Sequence, residues 1–337
     1  MSSLSAPRRR TAVGALAALV AVSSLAACGD KSEGSGASKA ALKITVISGP
    51  LADPFFGAMK AGTEQAAKDL GVKVTWNAPK DASNPGPDYS RIGDAAVAGK
   101  PDGVVLTYFS PEAQDPSLNK LTDAKVPVVF MNSGTGWDKL GGLNYVGEDA
   151  TVVGTGVGER FLAAKRKNVI CFNHAPGLDA VQRRCDALKE TLEAAGGVKY
   201  KEVDVPLSQG QNPTVVSNAL AGALKSDPSI DAVFTLGSSV AEVATKVIDD
   251  AGSDAMLGTT DLSSNVLQLI KSGDIAFASD QQPYLTGYYS VQILAQYLRT
   301  GVHPIGSIDT APNWITKDNV DDVISINKAN NGIRGAS

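Results

Sequence analysis

The stretch "KPDGVVLT" (residues 100–107) decides the fold, because its pattern returns later in the chain. A turn leads into a short apolar strand, a helical pattern follows, and a second apolar run, "VPVVFMN" (126–132), closes the unit. The same order recurs as "PSIDAVFTL" (228–236) and "AMLGTTD" (255–261). One strand–helix–strand unit used twice predicts two similar α/β lobes with a cleft between them.

The pattern extends in both directions. "ALKITVIS" (41–48) predicts the first strand, and "VKVTWN" (72–77) the second. Between them Asp53 suits a helix N-cap and Pro54 the first helical position. Phe56, Met59, Thr63, Ala66 and Leu70 then share one helical face. Further helices are expected over 88–99, 111–124, 150–164, 178–195, 213–226, to about 251, 263–272 and 284–300. The remaining strands are read at "NYVGED" (144–149), "NVICFN" (168–173), "KEVDVP" (201–206) and "IAFASDQQ" (275–282). Residues after 300 read as a tail.

The N-terminus sets the compartment. Arg8, Arg9 and Arg10 precede an apolar run from Ala12 to Ala27 that is broken by Ser23 and Ser24. It is too short and too interrupted for a membrane span, and it predicts a secretory signal peptide over residues 1–27. It ends in "LAAC", which resembles the lipobox of bacterial lipoproteins and so implies lipidation of Cys28. The Gly/Ser/Lys stretch that follows, 28–41 with the cysteine, reads as a flexible tether of roughly 20 Å r.m.s. span. The expected location is the outer face of the cell membrane, or the periplasm.

Without the signal peptide the chain carries 28 Lys and Arg against 35 Asp and Glu, a formal charge of −7. An acidic chain without basic clusters argues against nucleic acid or anionic lipid as partner. About 295 residues remain for folding, which suits two domains. In an exported chain Cys171 and Cys185 favour a disulfide worth roughly 3 kcal/mol, with two buried thiols as the competing reading. A catalytic thiol is disfavoured, since an exported thiolate is hard to keep reduced.

In open α/β sheets, ligands bind beyond the carboxyl ends of the strands. Those ends offer Asp53, Phe55 and Phe56, then Thr107, then Asn132 and Ser133. In the second half they offer Asn173–His174, Gly237–Ser239, Asp261 and Gln281, with Arg184 in a following helix. Hydroxyl, amide, carboxylate and guanidinium groups beside aromatic rings suit a neutral polyhydroxylated ligand, whose hydroxyls both donate and accept. Each residue also has a plainer reading. Helical spacing alone makes Phe56 core, turn geometry accounts for Thr107, Asn132 and Ser133, and Asp261 suits the cap of the helix near Ser263. His174 and His303 read as local hydrogen-bonders. The glycines of "VVGTGVGER" miss the dinucleotide fingerprint, and no nucleophile-elbow or P-loop motif occurs. Two distant histidines argue against a His-based zinc site, so neither catalytic residues, metal nor cofactor is expected.

Taken in order, "DPFFGAMKAGTEQAAKDLGV", "KPDGVVLT", "VPVVFMNSG", "YVGEDATVVG", "RCDAL", "GTTD" and "DQQPYLTGYY" resemble the ribose-type periplasmic sugar-binding proteins, substrate-binding subunits of ABC importers. The resemblance runs from about Leu42 to Asn319. It implies the type I fold: two Rossmann-like, doubly wound parallel-sheet lobes joined by a three-strand hinge, closing on the ligand. The N-terminal lobe would comprise 42–146 plus 282–312, and the C-terminal lobe 147–281 plus 313–330. Asp53, Phe55, Phe56, Thr107, Asn132, Arg184, Asp261 and Gln281 fall on the family's sugar-contacting positions, with Ser133 where many members carry Arg. Asn132-Ser133 in place of Asp-Arg, Gly237-Ser238 in place of Asn-Asp, and Leu207 near an expected stacking ring argue against ribose itself. The implied partners are a sugar or polyol and an ABC permease, for a monomer held to the membrane by its lipid. A sensor domain for a membrane receptor, a nucleoside-binding lipoprotein and an exported α/β enzyme are the alternatives.

Overall fold

The apolar runs become parallel strands, and the helical patterns between them cover both sheet faces. The computed structural model describes residues 40–81, 83–330 and 333–334. The expected signal peptide, Cys28 and the tether up to Lys39 lie outside the described residues. In chain order the first lobe builds β1 (Lys43–Ile47), α1 (Pro54–Leu70), β2 (Lys73–Asn77), α2 (Pro85–Ala98), β3 (Gly103–Leu106), α3 (Pro111–Asp123), β4 (Val128–Met131) and β5 (Asn144–Glu148). The second builds α4 (Ala150–Ala163), β6 (Asn168–Asn173), α5 (Asp179–Ala195), β7 (Lys199–Asp204), α6 (Pro213–Ser226) and β8 (Ala232–Thr235). It continues through α7 (Ser238–Asp250), β9 (Met256–Thr260), α8 (Ser264–Ser272) and β10 (Phe277–Asp280). Then come α9 (Pro283–Thr300), β11 (Ile308–Ala311), β12 (Asn313–Thr316) and α10 (Val320–Ala329).

Two six-stranded sheets result, ordered β11-β5-β4-β3-β1-β2 and β12-β10-β9-β8-β6-β7. All pairings are parallel except β10 with β12. The doubly wound, two-lobed α/β architecture expected from the repeat is therefore present. The chain passes between the sheets after β5, after β10 and between β11 and β12.

Each sheet is sandwiched by helices. In the first lobe Met59 and Ala66 of α1 and Val291 and Leu294 of α9 cover one face, where Ile44, Val46 and Val105 are buried. Ile92 of α2 and Leu118 and Leu121 of α3 cover the other. In the second lobe Val157 and Phe161 of α4 and Leu188 and Leu192 of α5 cover one face, and α6, α7, α8 and α10 the other. Cys171 of β6 and Cys185 of α5 are joined as a disulfide across the first of these faces, with Cα atoms 5.8 Å apart.

The glycines of "VVGTGVGER" serve helix packing rather than a turn. A Cβ at Gly154 in α4 would stand 2.3 Å from the Arg184 carbonyl in α5, so only glycine lets the two helices approach this closely. The tail after residue 300 is a correction to the sequence reading, because it supplies an edge strand to each sheet and a last helix. β11 and β12 have four residues each and are half polar, so neither carries a run long enough to register as a strand.

Candidate functional site

Strand ends of both lobes converge on a cleft of about 560 Å³. Eight of the nine candidate residues line it: Asp53, Phe55, Phe56, Asn132, Ser133, Arg184, Asp261 and Gln281. Thr107 does not. It continues the phase of Val105, which packs with α1 and α9, so its hydroxyl turns into that core, fully buried and without a partner. Its carbonyl accepts a 2.9 Å hydrogen bond from Gln114 Nε2.

The first lobe contributes a largely aromatic wall. Asp53 caps α1, accepting the Phe55 N–H at 3.0 Å, with Pro54 in the first turn. The cap orients the next two rings toward the end of β1. Phe56 is only 6% exposed, yet it lines the cleft, so its core and cleft readings both hold in part. A Cβ at Gly49 would lie 2.2 Å from Cζ of Phe56, showing how closely the ring lies on the backbone beyond β1. Edge-to-face contacts continue from Phe55 to Phe56 (5.1 Å), to Phe109 (5.9 Å) and to Tyr89 (6.4 Å). Ser133 donates its hydroxyl to the Tyr108 carbonyl at 2.8 Å, the turn role that its residue type allowed.

The second lobe contributes charge. Arg184 is buried and its Nε donates to Glu148 Oε1 at 2.5 Å, while Glu148 Oε2 is buried without a donor. Burial works against the charged guanidinium, but Glu148 and Asp261 outweigh it and hold the Arg184 pKa above its ordinary value. Asp261 is pushed up to about 7, first by burial; Arg184 opposes the shift and Asp53 adds to it. Asp53 itself is raised by burial against the Phe55 N–H. His174 is pulled down to about 4 by burial and by Arg184, so its ring is neutral near pH 7, and its Nδ1 is shielded without a partner.

A polar relay links the two walls. Asn132 Nδ2 donates to Gln281 Oε1 at 3.3 Å, and Gln281 Nε2 donates to Asp261 Oδ1 at 2.5 Å. Asn132 follows β4 and Asp261 follows β9, equivalent places in the two lobes. Both adopt left-handed backbone, with φ of 62° and 66°. Such strain in non-glycine residues concentrates where a side chain must be aimed. Asp261 is not needed as a helix cap, because Ser263 Oγ accepts the Val266 N–H at 3.0 Å and caps α8.

Sequence reasoning did not single out Glu148, Phe109 or Tyr89. Glu148 lay inside the quoted "YVGEDATVVG", but nothing along the chain ties it to Arg184, 36 residues away. His174 read as a local hydrogen-bonder; the structure leaves its Nδ1 unpaired at the cleft. Leu207 does line the cleft, on a short 3-10 turn, so this position supplies apolar surface rather than a ring. No group of three or more metal-ligating side chains occurs among the described residues. No helix among them is long and apolar enough to cross a membrane.

Comparison with known proteins agrees with this geometry. The chain is 25% identical over 300 residues to the xylose/arabinose-binding protein of Sulfolobus acidocaldarius, covering 82% of this chain and 72% of that protein. It is 26% identical over 241 residues to the ribose import binding protein of Bacillus subtilis, covering 70% and 75%. Its structure is similar to that of a carbohydrate transporter from Acidothermus cellulolyticus 11B in complex with myo-inositol. That likeness has a TM-score of 0.77 and 30% identity, and it covers 88% of this chain and all of the other. These relatives are substrate-binding proteins rather than enzymes. Residues 44–301, spanning both lobes, match the periplasmic binding protein domain, and the chain belongs to that family.

Proposed function

We propose that this protein is an exported receptor, anchored through a lipid on Cys28, that captures a sugar or sugar-like polyol between its lobes. It delivers that ligand, as a monomer, to an ABC permease. The observation that carries the reading is the cleft's two-sided chemistry in a chain 30% identical to a protein whose structure holds myo-inositol. Phe55 and Phe56 offer apolar surface for the C–H face of a ring, where some 40 Å² of burial contributes roughly 1 kcal/mol. Arg184, Asp261, Asn132 and Gln281 present donors and acceptors at fixed angles to hydroxyls. Because Gln281 bonds Asn132 of one lobe and Asp261 of the other, a ligand that engages this relay favours the closed arrangement of the lobes.

A thermal-shift panel of pentoses, hexoses, inositols and nucleosides tests the proposal. Stabilisation by a sugar or inositol supports it, and stabilisation by nucleosides alone turns the aromatic wall into a base-stacking site. No shift from any of these compounds or from their amino counterparts contradicts both.

A further inference from the structure

The cleft has a charge imbalance that a neutral sugar leaves uncorrected. Asp53, Asp81, Glu112 and Asp261 line it, and Arg184 is the only Lys or Arg among its described lining residues. That one cation is already matched, because Arg184 Nε holds Glu148 Oε1 at 2.5 Å. Asp261 accepts from the neutral amide of Gln281, and Asp53 from the Phe55 N–H of its own helix. No ion pair reaches either carboxylate among the described residues. Glu148 Oε2 adds a buried acceptor that no donor meets.

The opposite wall sharpens the point. Phe55, Phe56, Phe109 and Tyr89 form a run of edge-to-face rings beginning two residues from Asp53. Aromatic faces beside a carboxylate recognise an organic ammonium group through the ring quadrupole and the opposite charge together. A neutral hydroxyl would satisfy the hydrogen bonds here and leave the charge uncompensated.

We propose that the ligand is a cationic polyol, an amino sugar or aminocyclitol, whose ammonium group sits between Asp53 and Asp261 while its hydroxyls meet Asn132, Gln281 and His174. The inference rests on the polyol reading above. It carries a proton ledger of its own. The groups that bear on Asp261 are Arg184 from α5, Glu148 at the end of β5, Asp53 at the start of α1, and the neutral amide of Gln281. Among these, only Arg184 favours its ionised form by charge. An ammonium group beside Asp261 holds it ionised, so binding near pH 7 releases a proton into buffer. A neutral polyol gives no such release.

Titration calorimetry of the purified chain against matched pairs, glucosamine with glucose and inosamine with myo-inositol, reads both effects. Runs in two buffers of different ionisation enthalpy count the protons. The amine of at least one pair is expected to bind about tenfold or more tighter than its neutral partner, with net proton release. Asp261→Asn and Asp53→Asn should each shrink that preference, and Asp261→Asn should abolish the release; thermal melts of the apo variants report whether each still folds. Neutral members that bind as well as or better than their amines in both pairs overturn the inference, as does a neutral sugar of the wider panel binding while both amines fail. Either result leaves the receptor reading intact. Failure of every amine and every neutral compound overturns both.

Discussion

The two walls of the cleft are built on equivalent places in a repeated fold, yet they do different work. The first lobe uses a capped helix start to present Phe55 and Phe56, backed at the cleft by the half-buried Phe109 and the buried Tyr89. The second lobe places Arg184, Asp261 and His174 at the cleft, with Arg184 holding Glu148 from the end of β5 in the first lobe. Burial raises the Asp261 pKa and lowers that of His174, while Glu148 and Asp261 hold Arg184 high against burial. One wall contributes aromatic area with the Asp53 carboxylate at its edge, and the other contributes the Arg184 and Asp261 charges. A duplicated scaffold needs only different residues at its strand ends to divide recognition in this way.

Breaking the charged wall should cost most. Arg184→Ala strands Glu148 as an uncompensated buried acid, with an expected loss of about 3–5 kcal/mol in stability by denaturant melts, besides loss of binding. The pH dependence of the apo protein isolates Asp261. Its folded pKa of about 7 lies above the unfolded value of 3.8, so the native state holds a proton that the unfolded chain has released. Its contribution is therefore greatest at low pH, falls as pH rises from about 4 to 7, and is flat above. The fall is ~4 kcal/mol at most, and Asp261→Asn should remove it from the difference between urea melts at pH 5 and pH 8.

On the aromatic wall the contrast is between neighbours. Phe56→Ala should lower apo stability by about 3 kcal/mol, as for a core ring, and weaken binding as well. Phe55→Ala, at a half-buried ring, should weaken binding in calorimetry while shifting the melting temperature little. Equal stability losses at both positions would erase the distinction. The smallest effect is expected at Ser133, whose hydroxyl serves the Tyr108 carbonyl: Ser133→Ala should cost about 1 kcal/mol.

Most of the fold was legible because strands buried between two helix layers read as unbroken apolar runs, as in "VVFM" and "NVICFN". β11 and β12 escaped because edge strands half open to solvent need no such run. The cleft was legible to the extent that position beyond a strand end decides it, which located Asn132, Asp261 and Gln281. Thr107 shows where that rule stops. Its strand-end position places the backbone near the cleft, but strand phase sends its side chain into the core. Glu148 shows the converse, since a carboxylate at the end of a strand gains meaning only when folding brings Arg184 to it.

Native mass spectrometry of the chain against sugars, inositols and their amino counterparts tests the central claim most directly. The account predicts one bound polyol per chain, retained by Phe55→Leu and lost in Arg184→Ala. An adduct that persists in both Arg184→Ala and Asp261→Ala, or no adduct from any of these compounds, would contradict it.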